Sequence, residues 1–162
     1  MEIRKFNDPI LRKRAKKVWK IDAQIKSVAE DMAKIMKESE GIGLAGPQVG
    51  LSLRIITVET DYSTGEIKTL INPKIIKKSS KKIVGTEGCL SFPGIFLDLK
   101  RSEQVTVKAK DISGKKVIFT AEGMLARALQ HEIDHLNGVV FLDRLGLFKK
   151  IRFKLEHPSL KI

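Results

Sequence analysis

The sequence predicts an α+β fold in which short, mostly antiparallel strands surround one central helix. Three observations predict it. Residues 22–40 carry apolar side chains at helical spacing, and 122–137 hold two histidines four residues apart that a helix would align. Between these segments lie short runs rich in β-branched residues, divided by Gly, Pro, Asp and Ser turns. No repeat, low-complexity tract or long linker interrupts the 162 residues, so a single domain over 1–162 is expected, long enough to bury its own core.

The elements follow in order. MEIRKFNDPILRKRAKKV is basic, but charges break every apolar run, so it is neither a signal peptide nor a membrane segment. Asp8-Pro9 opens a short structured turn, and a mature cytoplasmic chain is expected. In 22–40, Ile21, Ile25, Val28, Ala29, Met32, Ile35 and Met36 form the apolar stripe, with Asp22 as N-cap and Gly41 as stop. GIGLAGPQVG (41–50) is too rich in Gly and Pro for a regular element and reads as a loop, whose glycines would let another backbone approach. LRIITVET (53–60) and IKTLINP (67–73) read as strands about a Tyr62–Gly65 turn, the second closed by Pro73. KIIKKSSKKIV (74–84) reads as two short exposed strands around a lysine-rich turn. FLDLKR (96–101), QVTVKAKD (104–111) and KKVIFTA (115–121) follow, the last two as a hairpin. After the helix at 122–137 come a short strand at VVFLD (139–143) and a basic amphipathic helix at about 147–155, which Pro158 prevents from running on.

Composition sets further bounds. Lys plus Arg is 31 against 19 acids, a net charge of +12. Such a charge favours an acidic partner, nucleic acid first, unless it is spread over a solvated surface. The single cysteine excludes an internal disulfide, fits a reducing compartment, and leaves Cys89 free for metal or nucleophilic chemistry.

The densest chemical pattern is QHEIDHLNG (130–138). At about 100° per residue, His131 and His135 fall about 40° apart on one helix face, where neutral imidazoles can hold one metal ion. Glu132 beside them is placed to take a proton from a water on that metal. Asn137-Gly138 supplies a helix stop. A third ligand is offered by Cys89 in EGCLSFPG (87–94), because thiolate binds Zn²⁺ or Fe²⁺ strongly and three protein ligands leave a position open. The competing reading of a lone cysteine is a small buried hydrophobe.

GIGLAGPQ, EGCLS and QHEIDHLNG, in this order and spacing, resemble the three motifs of the peptide deformylases of bacterial type. The resemblance extends over almost the whole chain, from FNDPILRKRA to the basic helix. It departs at Gly46, where the family usually has alanine, a loss of one methyl in a loop. The resemblance implies a hydrolase that removes the N-formyl group from N-formylmethionyl peptides and releases formate. It implies one divalent metal on Cys89, His131 and His135, Fe²⁺ natively, with Zn²⁺ or Ni²⁺ possible. Glu132 would serve as general base and then acid, with the Gln48 amide and the Leu90 backbone N–H holding the oxyanion and Gly43 pairing with substrate as an added strand.

Further expectations rest on helix geometry and on residue chemistry. Met124 and Ala128 lie within about 60° of His131 and Leu125 about 120° round, so these three form a candidate wall for the methionine side chain, with core packing the equal alternative for Leu125. Glu87 is expected to accept from His131, and Asp134 to pair with Arg101, or failing that Arg127. In LFKKIRFKL, Leu147, Ile151 and Leu155 should dock on the domain and leave Lys149, Lys150, Arg152 and Lys154 outward. The resemblance gives such a tail a docking role at the ribosome.

Two rival readings remain open at this point. In a zinc metalloprotease, Glu156, 21 residues after His135 (156 − 135), would be the third ligand; Pro158 and the unexplained EGCLS loop oppose this. In a non-catalytic basic RNA-binding protein, aromatic residues should be interleaved with basic ones. The single Trp and single Tyr show no such platform.

Overall fold

Asp22 begins the first helix as the sequence requires. Its carboxylate accepts the Ile25 N–H at 3.1 Å, and α1 runs Ala23–Glu38. The Gly41 N–H returns to the Met36 carbonyl and ends it. The computed structural model describes residues 1–158, and among these it contains three α-helices and seven strands. The strands are β1 (Gly43–Ala45), β2 (Ile55–Asp61), β3 (Glu66–Lys78), β4 (Lys82–Cys89), β5 (Phe92–Ser102), β6 (Gln104–Lys110) and β7 (Lys116–Glu122). They form an antiparallel five-stranded sheet in the order β1-β2-β3-β6-β7 and a separate hairpin, β4-β5.

The second helix, α2 (Gly123–Leu136), lies between them. Ala126, Leu129, Ile133 and Leu136 recur at helical spacing and pack on Val58, Leu70, Val105, Val107 and Ala109 of the large sheet. Fully burying Leu129 and Leu136 contributes about 1.5–3 kcal/mol each. On the sheet's other side α1 packs Met32 and Met36 against Leu44, Ile55 and Ile71. A third cluster, Leu11, Phe92, Leu99, Phe141, Leu142 and Phe153, joins the hairpin to the chain ends. No helix among the described residues is long and apolar enough to cross a membrane.

Several local expectations need correction. Residues 41–50 are not a loop: Gly43–Ala45 is a strand on β2, and Gly46–Val49 a 3₁₀ turn. Pro73 does not close its strand. Asn72 takes a positive φ of 53° and the register shifts between Ile71 and Lys74, so a bulge removes Pro73 from the ladder and β3 continues. The lysine-rich turn after Lys78 does not join a strand pair, because β3 pairs with β6 and β4 with β5. Phe141–Arg144 is a 3₁₀ turn rather than a strand, closed by the Asp143 carboxylate on the Val140 N–H. Coiling there lets both Phe141 and Leu142 face the core, which a strand's alternation would forbid.

The C-terminal helix α3 (Leu147–Glu156) docks by a different face from the expected one. Leu147, Ile151 and Leu155 are 50–78% exposed, and Phe153 is buried instead. Phe153 lies about 200° from Ile151, and its aromatic ring buries more surface than a leucine. Lys150, on the docked side, reaches Asp143 at 3.5 Å, so that face satisfies both an aromatic ring and a charge.

Gly46 is more than a missing methyl. A Cβ there would lie 2.6 Å from the Leu53 carbonyl oxygen and 3.0 Å from that of Leu51, both main-chain atoms. Gly46→Ala should therefore destabilise this chain by about 1–3 kcal/mol. Thermal unfolding measures it, and an unchanged or raised midpoint would contradict the packing described.

Candidate metal centre

Two elements, β4 and α2, bring the ligand atoms together. Cys89 ends β4, and its pairing with Phe92 closes a tight hairpin whose two-residue tip is Leu90-Ser91. His131 and His135 project from the same face of α2. The Cys89 sulfur lies 3.3 Å from His135 Nε2, the two Nε2 atoms are 3.2 Å apart, and all three ligand atoms lie within 4.8 Å of one another. Tetrahedral bonds of about 2.0–2.3 Å place such atoms about 3.3–3.6 Å apart, so the donor set fits one divalent ion with little movement.

Electrostatics agree with that fit. Burial opposes a proton on His131, but the Cys89 sulfur and the Glu87 carboxylate outweigh burial and lift its pKa to about 10. Burial, with His131 beside it, holds His135 well below the usual histidine range. The cluster thus attracts one positive charge, which a cation supplies while both rings stay neutral ligands. Burial also pushes Glu132 up to about 7, with His131 partly opposing the shift. Glu132 Oε2 has no hydrogen-bond partner among the described residues.

The surroundings orient these groups. Ala45 N–H donates to Gln48 Oε1 at 2.8 Å, which turns the Gln48 amide nitrogen toward Cys89 Sγ (3.5 Å) and Ser91 Oγ (3.4 Å). Gly43 lies on the sheet's edge strand. Ile42 carbonyl accepts the Glu59 N–H, so strand alternation turns Gly43's own N–H and carbonyl away from β2, into the cleft. A Cβ on Gly43 would lie 2.5 Å from Glu132 Oε1, so glycine is what lets the carboxylate sit against this edge. The cleft, about 850 Å³, is lined by Gly43, Gln48, Cys89, Leu90, His131 and Glu132 among others. Met124 and Ala128 also line it. Leu125 does not: it packs against the core of the large sheet on the other side of α2, because 120° of helical rotation turns it away from the histidine face.

Glu87 Oε2 accepts from His131 Nδ1 at 3.0 Å and from Arg101 Nη2 at 2.9 Å. Its Oε1 accepts from Arg101 Nε and Arg127 Nη1, each at 2.8 Å. Asp134 pairs with Arg101 at 2.5 Å. Arg127 does not reach Asp134; it donates to Glu87 and to the Ile83, Gly85 and Leu99 carbonyls, clamping the hairpin to α2. Sequence reasoning missed three residues. Arg144 also holds Asp134, through Nε at 2.9 Å and through Nη2. Gln130 exchanges hydrogen bonds with the Ser102 backbone, and Arg54 donates to the Leu136 carbonyl at the end of α2. None of these contacts has a sequence period, so none could be read in advance. Glu156 lies on exposed α3, paired with Arg152 at 2.7 Å, and is not brought to the site.

A cysteine sulfur and two imidazoles converging beside a buried carboxylate, in a cleft with a free strand edge, mark a metal-dependent hydrolase. Comparison with known proteins narrows the class. The polypeptide deformylase family matches residues 1–150, and the chain belongs to that family. It is 52% identical over 143 residues to the peptide deformylase of Dictyoglomus thermophilum, covering 88% of this chain and 91% of the relative. The crystal structure of peptide deformylase from Thermotoga maritima superposes with a TM-score of 0.86 at 43% identity, covering 90% of this chain and 97% of that one. The peptide deformylase structure from Thermus thermophilus gives 0.91 at 39% identity, covering 97% and 92%. The chain is thus a metal-dependent enzyme that deformylates nascent peptides.

The Glu87 network carries a pH signature. Burial alone would raise the Glu87 pKa, but Arg101 and His131 outweigh it and draw it from 4.5 to about 2. A depressed folded pKa gives stability that is complete above 4.5 and is lost as pH falls toward about 2. Acid unfolding of Glu87→Gln should therefore be flatter over this window than that of the parent, from a lower starting stability. Parallel curves would contradict the pairing.

Proposed function

We propose that this single domain deformylates N-formylmethionyl peptides with Cys89, His131 and His135 as the metal ligands and Glu132 as the proton carrier. The observation that supports this most is the unpartnered Glu132 Oε2 beside three convergent ligand atoms. A divalent ion held there supplies Lewis-acid polarisation and makes water nucleophilic at neutral pH. Fe²⁺ is the native ion in this reading, with Zn²⁺ and Ni²⁺ also suited to a thiolate-imidazole set.

The chain's residues do the rest. Substrate lies along β1, exchanging hydrogen bonds with the Gly43 backbone. Its methionine side chain enters the cleft beside Met124 and Ala128. Glu132 takes a proton from the attacking water as oxygen adds to the formyl carbon. Gln48 Nε2 and the Leu90 N–H, which stands at the hairpin tip outside the strand ladder, donate to the developing oxyanion. The C–N bond then breaks, Glu132 delivers its proton to the departing amine, and formate leaves. Glu87, Arg101 and Asp134 act behind the ligands, fixing the His131 ring so that its Nε2 faces the metal.

The enzyme works in the cytoplasm on chains leaving the ribosome, and α3 is its contact there. Lys149, Arg152 and Lys154 are exposed beside the apolar Leu147, Phe148, Ile151 and Leu155, a mixed basic and apolar surface.

Variants test these assignments. Cys89→Ser should lose metal or activity while Glu156→Ala keeps both. Glu132→Ala should retain metal and lose about 10²–10⁴-fold in formate release from a formylmethionyl peptide. A metal-free Glu132→Ala protein would make Glu132 structural. Anaerobic purification with metal analysis identifies the ion. For docking, Lys149→Glu with Lys154→Glu should lower ribosome co-sedimentation at low salt and spare turnover of a short peptide. Unchanged co-sedimentation would remove α3 from that role.

A further inference from the structure

The large sheet is covered unevenly. α1 packs over β1, β2 and the start of β3, while the same side of the rest of β3, of β6 and of β7 is open. Strand register places the open side chains in rows: Lys77, Thr106 and Thr120; then Lys74, Lys108 and Ile118; then Lys110 and Lys116. Four of these lysines are exposed and Lys110 is half-exposed. None forms an ion pair among the described residues, and Glu122, the acid that β7 places beside these rows, is bound by Gln104. Like charges set directly opposite across strands are destabilising, here at Lys74–Lys108 and Lys110–Lys116.

A second, independent feature adjoins the last row. The basic stretch Arg12–Lys20 runs along this end of the sheet. Val18 is fastened to Asn72 of β3 by two hydrogen bonds, and Ile21 lies against the β6–β7 turn at Gly114. Ala15 and Val18 face inward, while Lys16, Lys17, Trp19 and Lys20 face solvent. Trp19 is 86% exposed on this pinned backbone, with Lys17 Nζ 6.0 Å from its ring centroid. Trp19 thus stands in a basic run, KKVWK, that is contiguous in the sequence and is held on a fixed backbone by the fold.

We propose that the open side of β3, β6 and β7, with Trp19 at its rim, is a docking surface for single-stranded RNA. The unpaired lysines neutralise phosphates, and the indole stacks on one base. The lysines stand in rows along extended strands, as a run of phosphates requires, and the ring offers a base its face. An anionic membrane would meet the same charges, and the vesicle arm below separates it. The choice of RNA over DNA rests on the deformylase reading, since nascent peptides are made on RNA. The surface is separate from α3, which packs on the other cluster with β5.

Trp19 is the only tryptophan, so its fluorescence reports directly. Titration of the metal-loaded protein with polyuridine RNA should quench it. The affinity should fall with salt at a log–log slope of about −0.7 per phosphate engaged. Lys108→Glu, Lys110→Glu and Lys116→Glu together should weaken binding at least tenfold and reduce that slope by about 2. The corresponding glutamine triple variant should act in the same direction should the glutamate protein fold poorly. Trp19→Ala, followed by anisotropy of labelled RNA, should lose about fivefold or more. Formate release from a short formyl peptide should be unchanged in all of them, which separates failure here from failure of the deformylase reading. Absent quenching, equal affinity of parent and lysine variants, tighter binding of polydeoxyuridine, or binding of anionic phospholipid vesicles in place of RNA would each overturn the proposal.

Discussion

The structure depends on satisfying one buried carboxylate. Glu87 lies beneath His131, where an ionised group without partners would be too costly to keep. Its two oxygens accept from Arg101 twice, from Arg127 and from His131, so the hairpin supplies the acid and one donor residue, and α2 supplies the other two. Arg101 in turn is held by Asp134, and Asp134 by Arg144 after the helix. Buried ion pairs of this kind add little net stability, because desolvation consumes most of the Coulomb gain. They do select one register between hairpin and helix, since any slip would strand a charge in the interior.

That register places the chemistry. Cys89 is two residues beyond Glu87 on the same strand, so fixing Glu87 to His131 also carries the sulfur to the imidazoles. Arg127 reinforces this by donating to hairpin carbonyls on both strands. A third element, the 3₁₀ turn carrying Gln48, comes in through the close main-chain contact that Gly46 permits, and Gly43 beside it leaves room for the Glu132 carboxylate. One apolar stripe of α2 is devoted to the large sheet and the opposite face to the two histidines and Glu132. This division lets a helix with nine successive buried residues from Ala128 to Leu136, five of them polar, remain stable.

Beyond the site, the distribution of positive charge has structure of its own. The open lysine rows on β3, β6 and β7 and the exposed side of α3 belong to different packing clusters, and neither is neutralised by a facing acidic surface among the described residues.

The sequence by itself determined the class of fold, the helix at 122–137 and the donor types, because helical period and ligand spacing are local properties. His131 and His135 share a face whatever surrounds them, and Asp22 caps α1 through a bond only three residues long. The peptide deformylase motifs were equally legible, being short and continuous. Tertiary structure decided what depends on contacts across long separations. Arg127 serves Glu87 rather than Asp134, Leu125 belongs to the core, and Phe153 rather than the Leu147–Ile151–Leu155 stripe docks α3. Pro73 sits inside a strand because a bulge excuses its missing N–H, and Trp19 is held out into solvent beside a backbone that Asn72 pins at Val18. In each case several local choices were nearly equal in energy, and the partner that packing and charge brought near made one of them the more stable.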